Sequence, residues 1–267
     1  MKEFQTCKFE EIEPGVGLVT LNRPEQLNAI NGTMLEDFDR LFTVLSRNDT
    51  IRVLFITGAG RGFCAGADLN DAMIHKDTQV FSDPEQFLKL VQERFAALTL
   101  GLRRIPQPVI AAVNGVAAGG GFSMALASDV RVAAPQASFI ASFANIGLTG
   151  GELGSSYFLP RLIGVARSSE ILLTGRKVKA DEAERIGLVN QVVPAESLIE
   201  TALSYARPML AKGVGALKMT KRVLDQNINA PSLEAAVDLE NRNQTIMVFS
   251  GEFFKLIQPF FKSGSGD

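Results

Sequence analysis

The chain has 267 residues, 46% hydrophobic and 21% charged, with 27 Lys and Arg against 29 Asp and Glu. That length holds one large or two small domains with a proper core, and a net charge of −2 offers no electrostatic footprint for general nucleic-acid binding. Two cysteines in no paired spacing and a single histidine, His75, argue against a disulfide framework, a structural zinc site and His-rich metal clusters.

The N-terminal MKEFQTCKFEEIEPG lacks an apolar h-region and carries several acids, so it does not read as a signal peptide. No stretch approaches the roughly 18–20 apolar residues of a membrane span, so a cytoplasmic location is expected. Val16–Leu21 reads as a strand ending at the turn-forming Asn22-Arg23-Pro24. Asn31 is placed to cap a helix whose Leu35, Phe38, Leu41, Phe42 and Leu45 follow helical periodicity. The run VLFIT at 53–57 has the character of a strand buried on both faces. A polar loop spans Asp71–Asp83, where His75 reads as a solvated residue, and a helix covers Pro84–Arg104. Strands follow at Pro108–Val113, Val130–Ala133 and Ser138–Ile140, with an apolar helix from the 119–121 glycines to about Ser128. From Arg161 onward the pattern is mostly helical, clearest at Ala180–Ile186 and Glu196–Ala211, and the Ser/Gly-rich tail at 262–267 reads as frayed. The organisation expected is an α/β core over 1–195 and a helical C-terminal region over 196–267.

Three glycine-rich constellations carry the chemistry. The first, Gly58-Ala-Gly60-Arg-Gly62-Phe-Cys-Ala-Gly66-Ala67-Asp68, follows a strand as a nucleotide-binding loop does. Its spacing departs from G-x-G-x-x-G and no second strand ends in an acid about 20 residues on, so a plain tight turn is the stronger reading. The second, Gly119-Gly120-Gly121, opens an apolar helix. Three glycines there mean that something needs the absence of side chains: either close helix–sheet packing, or backbone amides facing a ligand at the positive end of the helix dipole. Gly121-Phe-Ser123-Met-Ala125 also resembles a nucleophile elbow, but the one histidine precedes it in the chain, so a serine hydrolase of that type lacks its base. The third is Ile146-Gly-Leu-Thr-Gly-Gly-Glu152-Leu-Gly154. A lone carboxylate among glycines is either a helix cap or a general acid/base at a cleft.

In order along the chain stand LNRPEQLNAIN (Leu21–Asn31), ITGAGRGFCAGADL (Ile56–Leu69), PQPVIAAVNGVAAGGGF (Pro106–Phe122), SDVRVAAPQASF (Ser128–Phe139), IGLTGG (Ile146–Gly151), LPRLIG (Leu159–Gly164) and LLTGRKVKADEAERIGLVNQVV (Leu172–Val193). Together these segments resemble the crotonase, or enoyl-CoA hydratase/isomerase, superfamily, over about residues 8–260. The resemblance implies a crotonase-like spiral of ββα units with a helical C-terminal region, and an acyl-CoA thioester as substrate. It also implies no metal or redox cofactor, no nucleic-acid or membrane partner, and a homotrimer or dimer of trimers. It assigns two oxyanion-hole donors to the backbone N–H groups of Ala67 and Gly120, with Gly119 and Gly121 beside the second. Segments Arg23–Ala29 and Cys64-Ala65-Gly66-Ala67-Asp68-Leu69 resemble those that cradle the CoA nucleotide.

Two glutamates that hydratases of this family carry correspond here to Ser123 and Phe143. Glu152 stands in a loop that resembles the carboxylate-bearing loop of isomerase-like branches, one residue longer, and is the expected acid/base. Ser123, Ser142 and Tyr157 are its candidate polar helpers. Asp68, Asp129 and Glu170 are expected in structural ion pairs or caps, although Asp68 also lies in the CoA-binding segment. Phe260 and Lys262 correspond to residues that approach the CoA phosphates of a neighbouring subunit, while Phe254-Lys255 replaces the usual Glu-Gly. The acyl pocket is expected between Leu69 and Phe95. The alternatives are a non-catalytic acyl-CoA binding protein lacking both glutamates, and an RNA-binding scaffold, which the charge balance disfavours because Lys218–Arg222 is the one basic stretch.

Overall fold

The computed structural model describes residues 4–71, 73 and 79–262, so His75 and the tail beyond Lys262 lie outside the described residues. β1 (Cys7–Glu13) pairs antiparallel with β2 (Val16–Leu21), and β3 (Val53–Gly58) then adds in parallel. β5 (Val109–Val113), β7 (Val130–Ala133) and β10 (Gln191–Val192) complete a six-stranded sheet in the order β1-β2-β3-β5-β7-β10. The intervening strands β4 (Gly62–Cys64), β6 (Val116–Ala118) and β8 (Ser138–Ile140) form a second sheet with an antiparallel edge strand, β9 (Lys177–Lys179). The chain therefore steps from the large sheet to the small one three times, and a helical segment follows each step. That is the spiral of ββα units expected.

Helix α1 (Gly32–Leu45) starts where the Asn31 side chain accepts the Met34 N–H at 2.9 Å, satisfying one orphan donor of its first turn. Met34, Leu35, Phe38, Leu41 and Leu45 turn inward, each worth about 1.5–3 kcal/mol of buried side chain. The strand β3 shows why a run without alternation forms in this fold. Leu54 and Ile56 face the main core, whereas Val53 and Phe55 face Ala202, Leu203 and Ala206 of α8 (Leu198–Leu210) on the other side of the sheet.

The helix expected over Pro84–Arg104 is α2 (Pro84–Phe87) and α3 (Glu93–Arg104) joined through a π turn at Leu88–Gln92. Within the segment expected as a loop, Gln79–Ser82 forms a 3-10 turn. β1, β4, β6, β9 and β10 were not expected. Four of them are two or three residues long, too short to show a period, and β1 hides its pattern behind the exposed charges Lys8 and Glu10. α4 (Gly120–Ala127) is buried at every position. α5 (Ser155–Ile163) begins before Arg161, after Gly154 in a left-handed conformation, and α6 (Val165–Thr174) and α7 (Ala180–Arg185) precede α8. α9 (Val214–Asn227), α10 (Leu233–Phe249) and α11 (Glu252–Lys262) end the described chain. Among the described residues no helix is long and apolar enough to cross a membrane.

One polar cluster pins the N-terminal strand to α1. The fully buried Asp37 carboxylate accepts from Gln5 N at 2.9 Å, Thr6 N at 2.7 Å and Thr6 Oγ1 at 2.7 Å, and pairs with Arg40. Asp37→Ala leaves the two buried Thr6 donors and the half-buried Gln5 N–H without a partner, so a loss of about 3 kcal/mol is expected in urea unfolding. A loss below about 1 kcal/mol would mean water replaces the carboxylate there.

Candidate active site

The site is built on a turn and two glycine bends. Leu27 and Asn28 both adopt positive φ, 50° and 58°. Asn28 is fully buried: its Oδ1 accepts from Arg23 N at 2.9 Å, and its Nδ2 donates to Ala59 O at 2.9 Å and Gly62 O at 2.8 Å. The Arg23 guanidinium donates to Ala29 O at 2.5 Å and to the Asp68 carboxylate at 2.7 Å. This ties the turn to the loop after β4. Along that loop Ala65 N donates to Leu27 O at 3.0 Å, Ile30 N to Gly66 O at 2.7 Å and Asp68 N to Ile30 O at 2.9 Å. The Ala65 and Asp68 donors are thus used, while the Ala67 N–H takes no acceptor among the described residues. Gly120 is the first residue of α4, after a cap that makes no side-chain bond. Its N–H is one of the orphan donors of a helix start and likewise takes no acceptor among the described residues.

The two bends face each other. A Cβ on Gly66, whose φ is 93°, would lie 2.9 Å from Ala118 O and 3.4 Å from Gly120 N. A Cβ on Gly119, whose φ is 51°, would lie 3.1 Å from Ser142 Oγ, 3.6 Å from the Phe143 ring and 3.7 Å from Gly66 Cα. Both φ values fall where side chains other than glycine's are strained. Gly121 packs flat on β4, where a Cβ would sit 2.1 Å from Cys64 O. The glycine triplet therefore serves close helix–sheet packing and leaves bare amides at a helix start, both at once.

Glu152 reaches this place from its own loop. Its N–H donates to Ser155 Oγ at 2.9 Å, and its carbonyl accepts from Ser155 N at 2.9 Å and Ser123 Oγ at 3.3 Å. Leu153 adopts φ 49°, a strain of about 1–3 kcal/mol for a non-glycine residue. Packing holds it: Leu153 lies against the main core, and its Cδ1 is 3.5 Å from the position of a Cβ on Gly120. The half-buried Glu152 carboxylate is not the cap of α5, since Gly154 holds that position without a side-chain bond. Its Oε1 instead accepts from Gln92 Nε2 of the π turn. Beyond it a cavity of about 950 Å3 opens between α3, α5 and α9, lined by Thr99, Leu100, Leu153, Tyr157, Phe158 and Met219 among others. Ala67 and Gly120 do not line this cavity; Glu152 and Leu153 do, and the Leu153 side chain also reaches Gly120.

A family model described as Enoyl-CoA hydratase/isomerase matches residues 11–261. A probable enoyl-CoA hydratase from Mycobacterium tuberculosis is 43% identical over 88% of this chain and 82% of its own length. The 1,2-epoxyphenylacetyl-CoA isomerase of Escherichia coli is 37% identical over 96% of each chain. The crystal structure of a probable enoyl-CoA hydratase/isomerase from Mycobacterium abscessus superposes with a TM-score of 0.82 at 42% identity, covering 91% of this chain and 90% of that one. The chain belongs to the enoyl-CoA hydratase/isomerase family.

Around the start of α4 the structure brings together three segments of the chain: Gly119, Gly120 and Ser123; Ser142 and Phe143; and Glu152, through its backbone carbonyl. Other residues singled out lie differently. The Tyr157 hydroxyl accepts from Asn229 Nδ2 at 2.6 Å and its ring is stacked by Arg161, so it faces the cavity wall rather than the glycine bends. Leu69 is exposed, Ala29 is buried with its carbonyl engaged by Arg23, and Asp68 forms the ion pair described above. Asp129 pairs with Arg103 at 2.6 Å and Lys221 at 3.3 Å, and Glu170 pairs with Arg176. Phe254 and Phe260 are exposed, and the Lys262 side chain lies outside the described residues. The cavity takes its α3 wall from Ala96 to Pro106, beyond the 69–95 segment expected to line an acyl pocket. The residue missed altogether is Gln92, for which the helical pattern carries no signal.

Cys64 is fully buried, so its part in the loop is a backbone one. Burial pushes its thiol up to about 12, and burial reinforced by the Asp37 carboxylate does the same to Cys7. Both thiols should resist aromatic disulfide reagents in the native state and react only on unfolding. A raised folded value stabilises the protein fully below the unfolded thiol value of 9.0, and this contribution declines as pH rises from there toward about 12. Stoichiometric labelling of the native protein at pH 8 would contradict the burial of both groups.

Proposed function

We propose that this protein moves a proton along the acyl chain of an acyl-CoA thioester, in the manner of an enoyl-CoA isomerase. In this reading the Ala67 and Gly120 amides form the oxyanion hole and Glu152 is the acid/base. The thioester oxygen accepts both N–H groups; as charge develops on it, the adjacent carbon–hydrogen bonds acidify. Glu152 removes a proton from the carbon next to the thioester, which gives a dienolate, and returns it to the far carbon of that dienolate, so that the double bond migrates. A single carboxylate suffices because the same group receives and delivers the proton. Adding water uses two such groups in this family, and the corresponding positions hold Ser123 and Phe143.

The observation that carries the proposal is the seating of the Glu152–Leu153 loop on the first turn of α4, with Ser123 Oγ 3.3 Å from Glu152 O and Leu153 over Gly120. Arg23, Ala29, Ala65 and Asp68 act as a scaffold for the loop that presents Ala67 and, with Leu69, the CoA nucleotide site. A panel of 2-enoyl- and 3-enoyl-CoA thioesters incubated in water labelled with deuterium and oxygen-18 tests the reaction. Deuterium uptake with double-bond migration and no oxygen-18 is the expected result; oxygen-18 at the third carbon would make it a hydratase.

The same reading includes assembly into trimers or pairs of trimers. α10 has no buried residue, and Phe249, Phe253, Phe254 and Leu256 of the last two helices are exposed on the single chain. Surfaces of that kind are covered by partners. Sedimentation at micromolar concentration should give a mass three or six times that of one chain; a monomer would contradict it.

A further inference from the structure

We infer that Gln92 is a positioning residue that fixes which oxygen of Glu152 takes the proton, and that the π turn at Leu88–Gln92 exists to present it. The inference rests on the acid/base role proposed for Glu152. The structure supplies three observations. Gln92 Nε2 donates to Glu152 Oε1 across 60 residues of sequence, from α3's approach to the loop before α5. Glu152 Oε2 accepts from no side chain or backbone donor among the described residues. The turn that carries Gln92 has an i→i−5 bond, Glu93 N to Leu88 O, in a helix that is otherwise regular.

The chemistry follows from the groups. An ionised carboxylate only accepts hydrogen bonds, so the amide must present its N–H to Oε1, and the carboxamide has no acidic proton to give up. One oxygen is thereby occupied by a donor that does not titrate, and the other is left to exchange a proton with substrate. Orientation of this kind matters steeply for proton transfer, because small misplacements of a catalytic group lose large factors in rate. Val91 and Phe95, four residues apart, both lie in the core, while Gln92, next to Val91, reaches the Glu152 loop. The π turn at Leu88–Gln92 carries Gln92, and such π turns occur frequently at functional sites.

Two substitutions of nearly equal size separate positioning from structure, measured on the full chain with 3-hexenoyl-CoA as substrate and saturated hexanoyl-CoA as binding probe. Gln92→Met removes the donor and keeps the helix former; Gln92→Glu replaces the donor by a like charge. Gln92→Met should lower kcat about 10- to 100-fold, with KM and the hexanoyl-CoA dissociation constant changed less than about threefold. Gln92→Glu should lower kcat further, again without a change in melting temperature. Full kcat in Gln92→Met alongside an inactive Glu152→Gln would overturn the positioning role alone. A fully active Glu152→Gln would remove the acid/base reading and this inference with it. A loss in KM and melting temperature matching the loss in kcat would make Gln92 a packing residue and overturn the inference.

Discussion

Glu152→Gln is expected to lower turnover of enoyl-CoA substrates about 100- to 10,000-fold while acyl-CoA affinity stays within a small factor, since that is the range over which a general acid/base contributes. The substitution is close to isosteric. Its backbone contacts to Ser155 and Ser123 run through N–H and C=O groups that the change does not touch. The loop should therefore keep its place, with Leu153 still packed against the core and over Gly120. What is lost is the group that accepts a proton. Steady-state kinetics beside isothermal titration with a saturated acyl-CoA separates the two. Unchanged turnover would transfer the chemistry to another residue; lost affinity with unchanged turnover at saturation would make Glu152 a binding group.

The second large effect is expected at Gly66. Gly66→Ala places a methyl 2.9 Å from Ala118 O and 3.4 Å from Gly120 N, at a φ of 93° that alanine adopts only with strain. The methyl and its strain push apart the two bends whose amides are proposed to receive the thioester oxygen. Loss of one donor of this kind costs about 2.7–4 kcal/mol in the transition state, which is 100- to 1,000-fold in kcat. A control comes from Gly60, also at positive φ, where a Cβ would meet only Pro24, its Cβ at 3.0 Å and its Cα at 3.8 Å, away from the amides. Gly60→Ala should show the backbone strain in its melting temperature with turnover nearly intact. Equal losses of turnover in the two variants would show that folding strain, not donor geometry, is being measured.

Much of the frame is legible in the chain because long apolar runs declare themselves. The strand at 16–21, the Asn31-capped helix and the strand at 130–133 lie where their patterns put them. Of the small sheet only β8, at 138–140, is legible; β4, β6 and β9 are three residues each and hold their place through pairing partners far away in sequence. The site divides in the same way. Gly66, Gly119 and Gly120 stand out in the sequence, and the structure gives the reason: two bends approach within van der Waals contact, one of them seated on β4 through Gly121. The destination of the Glu152 carboxylate is not legible. Its partner Gln92 comes from a helix whose core positions look regular, and the turn that redirects it leaves no mark in the periodicity. Nor does the sequence show that Asp68 is held by Arg23, since the pairing depends on the Leu27–Asn28 turn and its two positive φ values.

The most direct measurement of the central claim is the carbonyl stretch of a thioester bound to the protein, followed by infrared difference spectroscopy with carbon-13 at the thioester carbon of hexanoyl-CoA. Two amide donors aimed at one oxygen lengthen the C=O bond. The stretch should fall below its frequency in water, and part of that fall should disappear in Gly66→Ala. A bound thioester that absorbs at its aqueous frequency, in a protein that binds it tightly, would contradict the account.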